Sequence, residues 1–203
     1  MRKATPPDSH EVRGPPRNME PAIVFNDQRK LVASSPFRID WPQLVERFAS
    51  SPARRRMADA FVSWIHAADR LVLVEFVWIG GSFVTEAKAP RDLDCVLFYR
   101  YRTAILNPML RDAFLRQNAP VLMKDGIKQA FGIDAALIPL GLPPEQLIQM
   151  SAYWAMVFSN SANARRRAFY TVPAPSILAA APTLAIAPAP ASQLATGQRR
   201  GAS

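Results

Sequence analysis

Two aspartates one residue apart, Asp92 and Asp94, open an apolar run that reaches Tyr99, and nine residues upstream of them another apolar run, residues 71–79, ends in Gly80-Gly81-Ser82. In a strand, residues i and i+2 share a face, so the two carboxylates point the same way, roughly 6.5–7 Å apart along the backbone. Leu93, Cys95 and Leu97 then face the opposite side, toward a core. Two neighbouring carboxylates repel each other, and a divalent cation is the economical compensation. Mg²⁺ is the first candidate, because it takes carboxylate oxygens together with phosphate oxygens. A Gly-Gly-Ser turn after the neighbouring strand offers a phosphate unobstructed amides and a hydroxyl donor. The chemistry suggested is metal-assisted handling of a polyphosphate. An ordinary turn explains Gly81-Ser82 alone; the joint spacing is what points to a site.

The elements that must position these residues are legible in outline. Asp40 before Trp41-Pro42 starts a short helix with Leu44, Val45 and Phe48 as its apolar face. Ser51-Pro52 repeats that signal, and Met57, Phe61, Ile65 and Ala68 recur at helical spacing, leaving Arg54, Arg55, Asp59, Ser63 and Asp69 on an outer face. Strands are predicted over 72–79 and 93–99, with a short helix starting at Ser82 between them. Helices over 108–117 and 120–131, a strand over 133–139, a helix over 144–158 and a closing strand over 168–172 complete the pattern. It reads as an α/β fold in two layers, a small mixed sheet flanked by helices.

Gly81-Ser82 followed by Asp92-Leu93-Asp94 resembles the signature of the nucleotidyltransferase superfamily, the DNA polymerase beta-like fold. More narrowly, Gly-Ser-Phe-Val-Thr with Pro-Arg-Asp-Leu-Asp is similar to a family of small bacterial nucleotidyltransferase-like proteins. Phe25-Asn26, Arg54-Arg55-Arg56, and Trp154 with Phe158-Ser159 match further features of that family, so the resemblance spans about residues 22–172. It implies that Asp92 and Asp94 hold Mg²⁺, with room for two ions, and that Gly80, Gly81 and Ser82 cradle the phosphates of a nucleoside triphosphate. It also implies a third acid on a neighbouring strand. Asp134 opens the later strand and is the candidate metal ligand or general base; Asp125, beside Gly126, reads as a turn and is its rival. Lys88 and Arg91 flank the acids as candidate phosphate partners. Arg165-Arg166-Arg167 offers a contact to RNA or triphosphate, or simply a solvated edge. The implied activity is transfer of a nucleotidyl group to a hydroxyl of a protein, RNA or small molecule, in proteins often paired as toxin and antitoxin or serving phage defence. Where many active members carry Arg-Gly after the Gly-Ser, this chain has Thr85-Glu86. That departure keeps a second reading open, a catalytically silent scaffold or antitoxin binding a protein or RNA partner. A metal-dependent glycosyltransferase is a third.

Composition narrows the setting. The 203 residues carry a formal charge of +9, and residues 22–172 hold 19 basic against 13 acidic side chains, an excess that suits an anionic ligand. One cysteine, Cys95, rules out a disulfide scaffold and fits a reducing cytoplasm. With two histidines, His10 and His66, it cannot build a zinc site. Residues 1–21 are basic and Pro-rich without an apolar signal region, and Met19 is a candidate alternative start. Residues 173–203 are Ala/Pro-rich; both ends are expected to be disordered, and no membrane partner is expected. Trp64, Trp78, Tyr153 and Trp154 read as core residues, His66 as a half-buried hydrogen-bonded histidine.

Overall fold

The computed structural model of the chain describes residues 36–87, 89–103, 107–160 and 167–182. A short polar residue followed by proline in the first turn starts both leading helices. Asp40 precedes α1 (Trp41–Phe48), and the Gln43 side chain reaches back to the Asp40 amide at 3.3 Å. Ser51 precedes α2 (Pro52–Leu71) and accepts from the Arg54 amide at 3.3 Å. Along α2 the stripe Ala58, Phe61, Ile65 and Ala68 is buried, while Met57, expected in it, is only half-buried. Two residues expected on the outer face are buried instead, Arg54 and Ser63. The Ser63 hydroxyl donates to the Asp59 carbonyl one turn back at 2.9 Å, which makes its burial tolerable.

Strands β1 (Phe37–Arg38), β2 (Val72–Gly80), β3 (Leu93–Tyr101), β4 (Ile133–Pro139) and β5 (Tyr170–Pro173) form one sheet in the order β1-β5-β2-β3-β4. β2 runs antiparallel to β3 and β5, whereas β1–β5 and β3–β4 are parallel pairs. The protein is therefore mixed α/β, with five strands and seven helices among the described residues. A parallel pair needs a crossover, and here it is α3 (Pro108–Gln117), α4 (Ala119–Leu122) and α5 (Lys124–Phe131). The single helix expected over 120–131 is broken at Met123, which is extended at φ −126°, ψ 138°. Gly126 lies inside α5, not in a turn: a Cβ there would meet the Ala119 carbonyl oxygen at 2.2 Å, so glycine is what lets α5 pass against α4.

Alternation along the strands separates two cores. Val77, Ile79, Leu93, Cys95, Leu97, Ile133 and Ala135 share one face and all are buried; Leu137, next on β4, is half-buried. On the other face Val96, Phe98, Ile138 and Phe169 close around Phe158 from α6 (Pro144–Ser159), with Phe76, Trp78 and Trp154 packed alongside. Phe76 stacks on Phe98 at 4.4 Å and Trp78 meets the same ring edge-on at 4.8 Å.

Two further expectations are corrected. No helix starts at Ser82; residues 81–86 are turns and bends. The carbonyls a helix would use are taken: Ser82 accepts from Thr85 Oγ1 at 2.8 Å, and Phe83 and Thr85 accept from Arg54. Nor does order stop at Pro173. α7 (Ala174–Leu178) follows and buries Ala174 and Ile177, while Ser176 Oγ accepts the Trp41 amide at 3.1 Å. Its proline sits in the first turn, where it starts a helix instead of breaking one. His66 is half-buried with Nε2 2.8 Å from the Ala180 carbonyl, as its sequence context suggested. The N-terminal arm, Phe25-Asn26 and residues 183–203 lie outside the described residues. No helix among the described residues is long and apolar enough to cross a membrane.

Candidate functional site

Residues 81–92 join β2 to β3, and the antiparallel register sets Gly80 beside Asp94. On the other side of β3 the parallel register sets Asp94 beside Asp134 at the start of β4. Alternation turns both carboxylates toward the α6 face, in line with Val96 and Ala136. Asp92, immediately before β3, completes the group. One carboxylate oxygen from each of Asp92, Asp94 and Asp134 lies within 4.8 Å of the others, and all three residues are half-buried. Asp92 and Asp94, picked out from spacing, and Asp134, the third acid implied by the resemblance, are thus one cluster, and Asp125 is exposed in the first turn of α5, apart from it.

The glycines beside the cluster have different tasks. Gly81 has φ 66°, in the left-handed region, and a Cβ on it would stand 1.8 Å from Asp94 Oδ2. Glycine is required there twice over. The Ser82 amide, expected to serve a phosphate, donates to the Asp94 carboxylate. Gly80 is buried, and a Cβ would fall 2.6 Å from the Phe158 ring, so packing alone requires glycine there. Its absence of a side chain lets α6 close over the strand end.

Electrostatics single out Asp94. Burial, then the neighbouring charges of Asp92 and Asp134, push its carboxyl from 3.8 up to about 6, against the opposing pull of Lys128 and the Ser82 amide. Lys124 Nζ pairs with Asp134 Oδ1 at 2.9 Å, and Lys128 pairs with Asp92. Behind the acids the buried Cys95 thiol is pushed well above its ordinary range, by burial first and then by Asp94 and Asp134, and stays neutral. A cleft of about 460 Å³ opens over Asp94 and Asp134, with Asp92 outside its lining. Gly81, Ser82, Asp94, Asp134 and Lys124 contribute to its lining, as do Tyr153, Trp154 and Phe158 of α6 and Arg167. Tyr153, expected in the core, is exposed at 54%. Arg91 is exposed and outside this lining, while Lys88, Arg165 and Arg166 lie outside the described residues.

Residues 23–173 match DUF6932, a family of unknown function. The chain belongs to this family. No curated protein and no solved structure matches the chain. The three acids, the Gly-Gly-Ser turn and α6 all fall inside the DUF6932 span, and α7 begins just beyond it.

The DUF6932 span also contains residues that spacing did not reveal. Lys124 and Lys128 sit one turn apart on α5, and their i, i+4 relation was the available signal. Arg54 is the other. Its guanidinium donates to the carbonyls of Phe48 at 3.1 Å, Thr85 at 2.9 Å and Ala87 at 2.6 Å, and also to that of Phe83. It therefore ties α2 to the connection that carries Gly81 and Ser82. A planar fork suits several carbonyls at once, which a lysine ammonium cannot match. Arg54→Met should destabilise the protein by about 2 kcal/mol or more, since carbonyls around a buried donor lose their partner. Arg54→Lys should recover only part of that loss in urea unfolding. Equal stability of Arg54→Met and the parent would show that the clamp is dispensable.

Proposed function

We propose that this chain binds a nucleoside triphosphate together with Mg²⁺ and transfers a nucleotidyl group to a hydroxyl of a protein, RNA or small molecule. The observation that carries the reading is the convergence of Asp92, Asp94 and Asp134 within 4.8 Å, beside a left-handed Gly81. Three carboxylates without thiolate or imidazole are a hard-oxygen donor set, which fits Mg²⁺ and not a softer metal. Bound there, Mg²⁺ supplies Lewis-acid neutralisation of phosphate charge and of the attacking oxygen. Asp92 and Asp94 would hold the metal, and the Ser82 hydroxyl would donate to phosphate oxygens. Asp134, half-buried at the edge strand, would take or orient the acceptor proton. Tyr153 and Trp154 meet edge to face at 5.3 Å in the lining of the cleft, and the exposed Tyr153 ring is suited to stack on a base.

A specific observation also supports the silent-scaffold reading: Lys124 and Lys128 already partner Asp134 and Asp92, so the protein's own cations balance much of the cluster's charge. The discriminating experiment supplies each labelled NTP with Mg²⁺ and cell lysate, and looks for labelled product. The transferase reading expects product, with Asp134→Asn lowering its rate by on the order of a hundredfold while leaving NTP affinity nearly unchanged. Absence of product with every NTP would leave the scaffold, and undiminished transfer by Asp134→Asn would remove the role given to Asp134.

A further inference from the structure

Lys124 and Lys128 hold the carboxylates by their ammonium groups while much of each side chain stays in water, with side-chain exposures of 60% and 43%. Three carboxylates face two ammoniums. The acid left without a lysine in direct contact is Asp94, which the Ser82 amide bonds instead. A divalent cation approaching this group meets two positive charges already seated there, and like charges a few ångströms apart repel. Metal and lysines therefore compete for the same oxygens. Both lysines rise from one face of α5, and Lys124 lines the cleft shared with Gly81 and Ser82. A swing of its exposed, flexible stem would take the Lys124 ammonium from Asp134 to an anion lying in that cleft, while Lys128, outside the lining, would reach in from its place on Asp92.

We propose that Lys124 and Lys128 are resident cations: they hold the carboxylates when no metal is bound and move to the polyphosphate when metal and nucleotide bind together. The proposal rests on the metal–nucleotide reading above. It makes the site selective for a metal–polyphosphate complex over the free metal, because only the complex brings an anion to receive the displaced ammoniums. Free Mg²⁺ is thereby kept from occupying the acids on its own. The coupling is reciprocal, so polyphosphate without metal is also bound poorly, the lysines being held by the acids.

Calorimetric titration of the full chain tests this, with Mn²⁺ as one titrant and preformed Mn²⁺–tripolyphosphate as the other. The parent should bind the complex about tenfold or more tighter than free Mn²⁺. In Lys124→Met/Lys128→Met the order should reverse, with free Mn²⁺ gaining about tenfold and the complex weakening. Arg56→Gln/Arg70→Gln makes the same charge change at exposed positions of α2 and should leave the order as in the parent. The exposed lysines leave the fold intact, which a melting curve checks, and the single variant Lys128→Gln should show the same trend at smaller size. If the lysine variants keep the parent's preference, or if Arg56→Gln/Arg70→Gln reverses it too, the lysines are not resident cations. If neither titrant binds the parent or the lysine variant, the metal reading itself fails and the inference with it.

Discussion

Gly81→Ala should abolish the joint response to Mg²⁺ and nucleotide while leaving a folded protein. An alanine at φ 66° costs about 1–2 kcal/mol in backbone strain. That much the domain can absorb. The second effect it cannot absorb locally, because the new methyl would stand 1.8 Å from Asp94 Oδ2. Either Asp94 rotates away from Asp92 and Asp134, or the turn lifts and takes the Ser82 amide with it; both dismantle the site. Gly132 supplies a matched control. It also has a left-handed φ, 70°, as the C-cap of α5, and a Cβ there meets nothing within 4 Å. Gly132→Ala should show the strain alone: a similar fall in unfolding free energy with the metal–nucleotide response retained. Thermal unfolding of both variants, with and without Mg²⁺-ATP, separates the two effects. A Gly81→Ala protein that still responds like the parent would mean that the turn does not form part of the site.

How much of this was legible beforehand follows from which physical rules act locally. Asp92 and Asp94 were readable because strand alternation is local, and the cleft-side position of Asp94 follows from it. The Gly81 turn was readable because a left-handed residue needs glycine. The packing of Gly80 was not readable, because the Phe158 ring that requires a glycine there arrives from a helix almost eighty residues later. The resident lysines were invisible for the same reason: only the crossover brings α5 to the start of β3. Arg54 is different. It precedes Ala58, Phe61 and Ile65 by helical steps and so lies on the buried stripe, yet its charge and its arginine neighbours argued for a solvated face. Periodicity outweighed residue type there, because four carbonyls were waiting for a donor. β1 spans two residues and carries no period at all. In α7, prolines that start a helix were taken for a composition that forbids one.

The acids themselves provide the most direct test, in the variant Asp92→Asn/Asp94→Asn. In the parent, Mg²⁺ and ATP should each raise the melting temperature little and together raise it much more, since each supplies ligands the other lacks. Saturation at about a hundred times the dissociation constant adds about 2.7 kcal/mol, or on the order of 5–10 °C for a domain of this size. The double variant should lose that rise entirely. Without ligand it should melt at the parent's temperature or above it. Asp94 binds its proton more tightly folded than unfolded, its carboxyl having moved from 3.8 to about 6. Its charge therefore costs the parent stability above about pH 6, a cost that shrinks as pH falls and is gone below 3.8. The variant's advantage should follow that window, the loss of the exposed Lys128–Asp92 pair counting for little. Unfolding curves of parent and variant in Mg²⁺, in ATP and in both decide the matter: a joint rise in the parent that vanishes in the variant is the predicted result, and a variant that rises as the parent does would place the site elsewhere.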